Sequence, residues 1–473
     1  MIKKILCIFI SAFLLLSGFW GCVNSDSNEK IDNITYYTVQ NYSSLGGGWI
    51  YEYNKQCENE EDKIEIVEFE NNEALKNKLT TELMTGDGPD LIDEKTIQNA
   101  DLSIEKLIEM GAFMDLNELI GSDTDEDKID FSDYNQKALE SGFINGKRFC
   151  IPLYYTPNLL LTTQQKYSKY INRNTPALSY NDMLNLCDEI SNNQEIWLFS
   201  FWDTYYLQGL LLDYIDDNLD LLNKTSNFDT SEFDEMISRF DKLIMQEGKD
   251  KKGSEESEQY INLTEEVDPS SYIFEYGISF SPYDMYSSIV FSEQRGETPL
   301  LLGCVTNDTS ILSANISKSI FVNSNSKKNE KLLKAIKYAL SEECQNNQVG
   351  AEIEKYNPMF AAYTGSLFPV NLNSFNKLMN NADSFKYNSK DSYYVGDDDG
   401  IPDNDKEQAE VSEESQKMVH NALSNISKYE LDTYWYYNTS VIGDLIESYM
   451  NSEIRVDKFV SGLKSKTKLY LEE

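Results

Sequence analysis

Residues 63–69 read Lys63-Ile64-Glu65-Ile66-Val67-Glu68-Phe69, and residues 85–92 read Thr85-Gly86-Asp87-Gly88-Pro89-Asp90-Leu91-Ile92. The first stretch is rich in β-branched and apolar residues and reads as a strand. Between the two, Leu75, Leu79 and Leu83 recur at i, i+4 and i+8, which gives one apolar helix face from Glu73 to Met84. Gly86, Gly88 and Pro89 stop that helix. Asp90-Leu91-Ile92 then reads as a short buried strand. Ile34 to Val39 is an earlier strand of the same character. Strand, helix and strand at this spacing form a βαβ unit with a right-handed crossover, so the chain is α/β with a parallel sheet. A further unit is expected through Ile104 to Leu119.

Outward from this unit, residues 158–297 read mostly as helices. Residues 310–313 and 319–322 read as two strands, and 331–340 as a helix with Leu332, Leu333, Ile336, Ala339 and Leu340 on one face. Two amphipathic helices follow near the C-terminus, the first with Ile442, Leu445, Ile446 and Tyr449, the second with Val456, Phe459, Val460 and Leu463. Residues 247–258 and 391–414 read as acidic loops.

Composition excludes several functions. The 473 residues hold 41 Lys+Arg and 80 Asp+Glu, a net charge of −39, which repels phosphate backbones and rules out nucleic acid as a partner. With one histidine, His420, a zinc site with two histidines is impossible and any His-based catalytic unit must use that residue. Among the seven cysteines, those after the leader (Cys57, Cys150, Cys187, Cys304 and Cys344) show no CxxC spacing and are odd in number, which argues against a disulfide framework.

The N-terminus carries Lys3 and Lys4, an apolar run from Ile5 to Leu16, and then Gly21-Cys22. A run of about 12 residues is short for a spanning helix, which needs about 20, and fits an export signal. Gly21-Cys22 resembles a bacterial lipobox, departing from it at Phe19 and Trp20. Residues 1–22 are therefore expected to be a lipoprotein signal peptide, with Cys22 lipidated, and 23–33 a polar tether. The expected location is extracytoplasmic, lipid-anchored to the bacterial cell membrane.

Several segments in order resemble the bacterial extracellular solute-binding proteins of sugar ABC transporters, the maltose-binding-protein type. They are Leu83 to Ile92, Gly111 to Leu116, Asn145 to Tyr155, Thr175 to Met183, Ser317 to Gln345, Phe368 to Asn371 and Thr433 to Tyr436. The resemblance implies a two-lobed periplasmic-binding-protein-like fold, with interleaved lobes joined by a hinge. It places 34–150 and 298–350 in lobe one, and 151–297 and 351–473 in lobe two. It implies a monomer that binds a carbohydrate, an oligosaccharide, between the lobes and delivers it to ABC permease subunits without covalent chemistry.

A sugar needs hydrogen-bonding side chains for its hydroxyls and flat rings for its C–H faces. The candidate ligand-binding residues are Trp49, Asp93, Glu94, Tyr154, Tyr155, Trp202, Tyr205, Tyr206, Tyr283 and Trp435. Core packing is the competing reading for each ring. Asp90 reads as a turn or cap residue instead. Phe280-Ser281-Pro282-Tyr283 and Thr433-Tyr434-Trp435-Tyr436 resemble family segments that carry stacking aromatics, which implies that Tyr283 and Trp435 form one platform on lobe two. No cofactor is required. Asp397, Asp399, Asp403 and Asp405 surround Gly400 in a string that resembles a calcium loop; a solvated acidic loop is the other open reading. A secreted glycoside hydrolase, which needs a pair of carboxylates across the scissile bond, is the alternative to transport.

Overall fold

The computed structural model describes residues 32–40, 48–124, 128–171, 175–191, 197–199, 203–251, 272–275, 281–350, 367–388 and 408–473. The signal segment with Cys22, Trp202, the side chains of Tyr205 and Tyr206, and the acidic string with Asp397, Asp399, Asp403 and Asp405 lie outside the described residues.

Strands β1 (Ile34–Val39) and β2 (Ile64–Phe69) run parallel, in register from Ile34↔Ile64 to Val39↔Phe69. Helix α1 (Asn72–Thr85) crosses from β2 to β3 (Leu91–Asp93) and buries Leu75, Leu79 and Leu83. Asn71 caps it by accepting from the Ala74 amide at 2.9 Å. Gly86 ends it at φ 81°, a left-handed conformation that a side chain would strain. β3 then pairs with β1 on the side away from β2.

The long strand β7 (Leu312–Val322) lies antiparallel to both β3 and β4 (Cys150–Pro157). Its first half also pairs in parallel with β9 (Ile426–Leu431), and β8 (Phe368–Pro369) adds to the outer edge of β4. The order is β8-β4-β7-β3-β1-β2, with β9 beside β7. The two strands expected at 310–313 and 319–322 are therefore one. Ser317-Lys318 breaks the apolar pattern between them. There the pairing with β4 shifts between Ile316 and Lys318, and again between Lys318 and Ser319. Such bulges bend a strand and re-aim its side chains. The unit expected through Ile104 to Leu119 also differs. Two short helices, α3 (Ile104–Glu109) and Leu116–Gly121, fill that stretch, and the strand that joins β3 is the antiparallel β7.

Buried apolar side chains form two cores, one per lobe. The first packs on the sheet just described. The second is built around β5 (Leu159–Thr163), its antiparallel partner β6 (Pro299–Gly303), helix α4 (Asp203–Asp216), and the terminal helices α6 (Gly443–Met450) and α7 (Val456–Glu472). A single residue, Asn158, separates β4 from β5, and β5 bridges the two cores, with Leu159 and Leu161 in the first and Leu160 in the second.

The two cores draw on other parts of the chain than the expected lobe ranges at further places, β6 among them, whose Leu302 lies in the second core. Helix α5 (Pro282–Gln294) puts Met285, Tyr286, Ile289 and Val290 into the first core. So do Phe368, Val370, Met379, Val419, Leu423 and Ile426, which were expected in lobe two. The reason is pairing: β4 and β7 offer free edges that β8 and β9 fill. From Tyr434 onward the C-terminal segment packs on the second core.

Candidate functional site

Ligands of α/β sheets bind beyond the carboxyl ends of parallel strands, where the loops diverge. Here that place is the exit of β3. Asp93 ends the strand and caps α2 (Glu94–Asn99), accepting from the Thr96 amide at 2.7 Å and from the Tyr36 hydroxyl at 2.7 Å. Glu94 follows, only 7% exposed. One helical turn later Gln98 donates to Asp432 at 3.2 Å, so this face of α2 looks towards the segment that leads into the second lobe.

That segment, Asp432 to Val441, is tightly tied. Asp432 accepts from the Trp435 amide at 3.1 Å, and the Tyr434 hydroxyl donates to the Leu219 carbonyl at 2.6 Å. Asn438 donates to Asp216, on the last turn of α4, at 2.8 Å. A π-helical turn spans Tyr437–Val441 and aims Thr439 and Ser440 back at the first lobe. Between the two sides lies an open cleft of about 290 Å³. Asn72, Glu73 and Lys76 of α1 line one wall with Gln98, Asn99 and Asp101; Trp435, Thr439 and Ser440 line the other. Ser440 donates to Asp101, which also pairs with Lys76 at 2.5 Å. Deeper along the same interface Tyr470 donates to the Glu105 carboxylate, and Lys106 donates to the Tyr470 carbonyl at 3.0 Å.

The electrostatics of this region are unusual. Burial pushes the Glu94 carboxyl up to about 8, helped by Asp93 and Asp432. Asp213 keeps an exposed surface, but the surrounding walls desolvate it and, with Asp217 and Glu430, raise it to about 7. Desolvation also raises Asp216 well above the usual carboxylate range, with Asp213 and Asp432 adding to it, and raises Asp432. Lys318, on the bulge of β7, is lowered by desolvation; its ammonium lies 5.6 Å from the centre of the Tyr154 ring. The arrangement can hold polar donors against carboxylates and lay an apolar face on Trp435.

The sequence-derived candidates separate into groups. Asp93, Glu94 and Trp435 stand at this interface. Trp49 does not: it is 6% exposed and packs in the first core. Tyr155 is also core, stacked on Phe368 at 5.7 Å and edge-on to Tyr429 at 5.1 Å. Tyr154 is buried beside it, under Lys318. Tyr283 packs against the first core, edge-on to Phe385 at 5.5 Å. The single platform expected for Tyr283 and Trp435 is therefore not formed. Tyr283 rests half-buried against the first core, beside the buried face of α5, while Trp435 lines the cleft. Lys318, Asp213, Asp216, Gln98 and Asp432 were not singled out. Lys318 is the one basic residue in its strand, and Asp432 directly precedes the aromatic segment; both signals were readable.

Two lobes with separate cores, linked by several chain crossings and facing each other over a cleft that a half-buried tryptophan lines, define a two-lobed binding protein. The chain belongs to the bacterial extracellular solute-binding protein family, whose pattern matches residues 40–346. No curated relative matches it in sequence. It is similar in fold to the sugar-binding protein MalE from the phytopathogen Xanthomonas citri (13% identity, TM-score 0.53, covering 93% of this chain and 97% of that one). It is also similar to a sugar transporter from Rhizobium etli in an open conformation (13%, TM-score 0.51, 92% and 99%). A third is a periplasmic oligogalacturonide binding protein from Yersinia enterocolitica (14%, TM-score 0.50, 93% and 98%). Among the described residues, no helix is long and apolar enough to cross a membrane.

Proposed function

We propose that this solute-binding protein captures an oligosaccharide in the interlobe cleft and delivers it, as a monomer without covalent chemistry, to an ABC permease. One observation carries the reading. The cleft sets the Trp435 ring opposite Asn72, Lys76, Gln98 and Asp101, which is the pairing of flat face and hydrogen-bonding groups that a sugar needs. Similar folds in a sugar-binding protein and an oligogalacturonide binding protein support the solute class. The family is one of binding proteins, and nothing in it favours the hydrolase alternative. The test is a panel of neutral and charged oligosaccharides, scored for thermal stabilisation and for released product. A true ligand at about 100 times its dissociation constant adds about 2.7 kcal/mol. Stabilisation without product is expected; turnover of any glycan would return the hydrolase.

The same proposal includes a lipid on Cys22, suggested by the short leader, Gly21-Cys22 and the polar tether. Two or more acyl chains anchor firmly. Cys22→Ala is expected to leave the protein in the soluble fraction, and a membrane-bound variant would refute the anchor.

A further inference from the structure

Helix α3 puts Ile104 and Leu107 into the first core, yet its other side chains meet the second lobe at three points. The hydroxyl of Tyr470, on the terminal helix α7, donates to the Glu105 carboxylate. The Lys106 ammonium donates to the Tyr470 carbonyl at 3.0 Å and lies 4.7 Å from the centre of the Tyr470 ring. At the end of α3, Glu109 pairs with Lys224 at 3.1 Å. Two residues before Lys224, Leu222 packs against the first core, while its neighbour Leu221 lies in the second.

These contacts are not equal. The side chains of Lys224 and Glu109 are 39% and 35% exposed, and such a pair contributes little. Tyr470 and Glu105 are 6% and 1% exposed. Among the described residues, the Tyr470 hydroxyl is the one donor that reaches the Glu105 carboxylate, whose Oε2 is buried without a partner. Tyr470 also packs on the segment that carries the cleft wall. The ring centres of Tyr436 and Tyr437 stand 6.1 and 5.8 Å from its own. Those two residues directly follow Trp435 and lead into the turn with Thr439 and Ser440. One ring thus joins a buried carboxylate of the first lobe to the wall of the second.

Resting on the solute-binding reading above, we infer that Tyr470 is a positioning residue for the cleft. Through Glu105 it holds the lobes in the arrangement that sets Trp435 opposite α1 and α2, and so raises solute affinity without touching solute. The effect is one-sided. With the lobes together, a carboxylate cut off from water depends on the Tyr470 hydroxyl. With the lobes apart, water serves both groups. Removing the hydroxyl therefore penalises only the joined state. Glu105→Gln removes the charge but keeps an acceptor, so the penalty shrinks.

Hydrogen exchange and calorimetry on the full mature protein test this in wild type, Tyr470→Phe, Glu105→Gln and the double variant, with maltotriose and trigalacturonate as neutral and anionic probes. At six residues α3 is too short to hold a helix unaided, so its amides report whether the second lobe covers it. Tyr470→Phe is expected to speed exchange across residues 104–110 about tenfold, and to weaken whichever sugar binds wild type about tenfold, with exchange in β1, β3 and α4 unchanged. In the Glu105→Gln background the same change is expected to have at most about a threefold effect. If exchange responds in this way but neither sugar binds wild type, the positioning role stands and the result counts against the oligosaccharide reading alone. Unchanged exchange in α3, or full sugar affinity in Tyr470→Phe, overturns the positioning role. So does faster exchange throughout the second core, which is the mark of a packing residue, and so does an equal effect in both backgrounds.

Discussion

Asp90 and Glu94 sit at opposite ends of β3, four residues apart, and each is 7% exposed. Their surroundings could hardly differ more. At the entry of the strand, Asp90 accepts from the Thr35 amide and hydroxyl, both at 2.9 Å, from the Ser326 hydroxyl, and from Lys328 at 3.0 Å. Burial would raise its carboxyl, but these donors outweigh burial and hold it below the usual value. At the exit, Glu94 has an unpartnered oxygen and acidic neighbours, and its carboxyl is raised to about 8. Equal burial therefore says nothing about role. An acid whose acceptors are filled from within the fold is a fastener. One that has Ser319 beside it but keeps one oxygen without a partner, at the carboxyl end of a parallel strand, is held less completely by the fold.

Removing the fastener has the largest expected effect. Asp90→Ala takes the acceptor from the Thr35 amide and the Ser326 hydroxyl and leaves Lys328 with only the Asn33 carbonyl and the exposed Asp32. It should cost about 3 kcal/mol in denaturant unfolding, with solute affinity unchanged once the protein is folded. A loss of affinity at full stability would place Asp90 in the site and erase the contrast.

The two acids also predict opposite pH responses. The folded pKa of Glu94 is raised from 4.5 to about 8, so its contribution is full below pH 4.5 and is lost as pH rises towards 8. In that window wild type should lose up to about 1.4 kcal/mol of stability per pH unit relative to Glu94→Gln. Asp90 has a lowered folded pKa, so its contribution is present above the ordinary carboxylate range and is lost on acidification through the folded value. Parallel pH profiles for wild type and Glu94→Gln would show that Glu94 is solvated and ordinary.

The same contrast explains what the sequence made legible. The βαβ unit was readable because Leu75, Leu79 and Leu83 mark one helix face and Gly86 must stop it; both are local signals. Trp435 was readable through its aromatic segment. Tyr154 and Tyr155 read from sequence as candidate binding rings, yet they lie inside β4, where partners 160 or more residues away, on β7 and β8, bury them. The places of β8 and β9 are hidden from the sequence for a related reason. Which sheet edge β8 and β9 join is decided by open edges on β4 and β7, and no local pattern records that. Lys318 depends on a bulge, which is a mismatch between two strands and not a property of either.

The central claim is that the solute lies against Trp435 in the cleft, while the other candidate tryptophan among the described residues, Trp49, belongs to the core. Affinity by calorimetry and stability by denaturant, measured on Trp435→Ala and Trp49→Ala with the tightest solute of the panel, test it most directly. Trp435→Ala should weaken binding about thirtyfold, about 2 kcal/mol, at near-normal stability. Trp49→Ala should cost about 3–5 kcal/mol of stability and, where it folds, bind normally. Normal affinity in Trp435→Ala would contradict the account and move the binding site elsewhere.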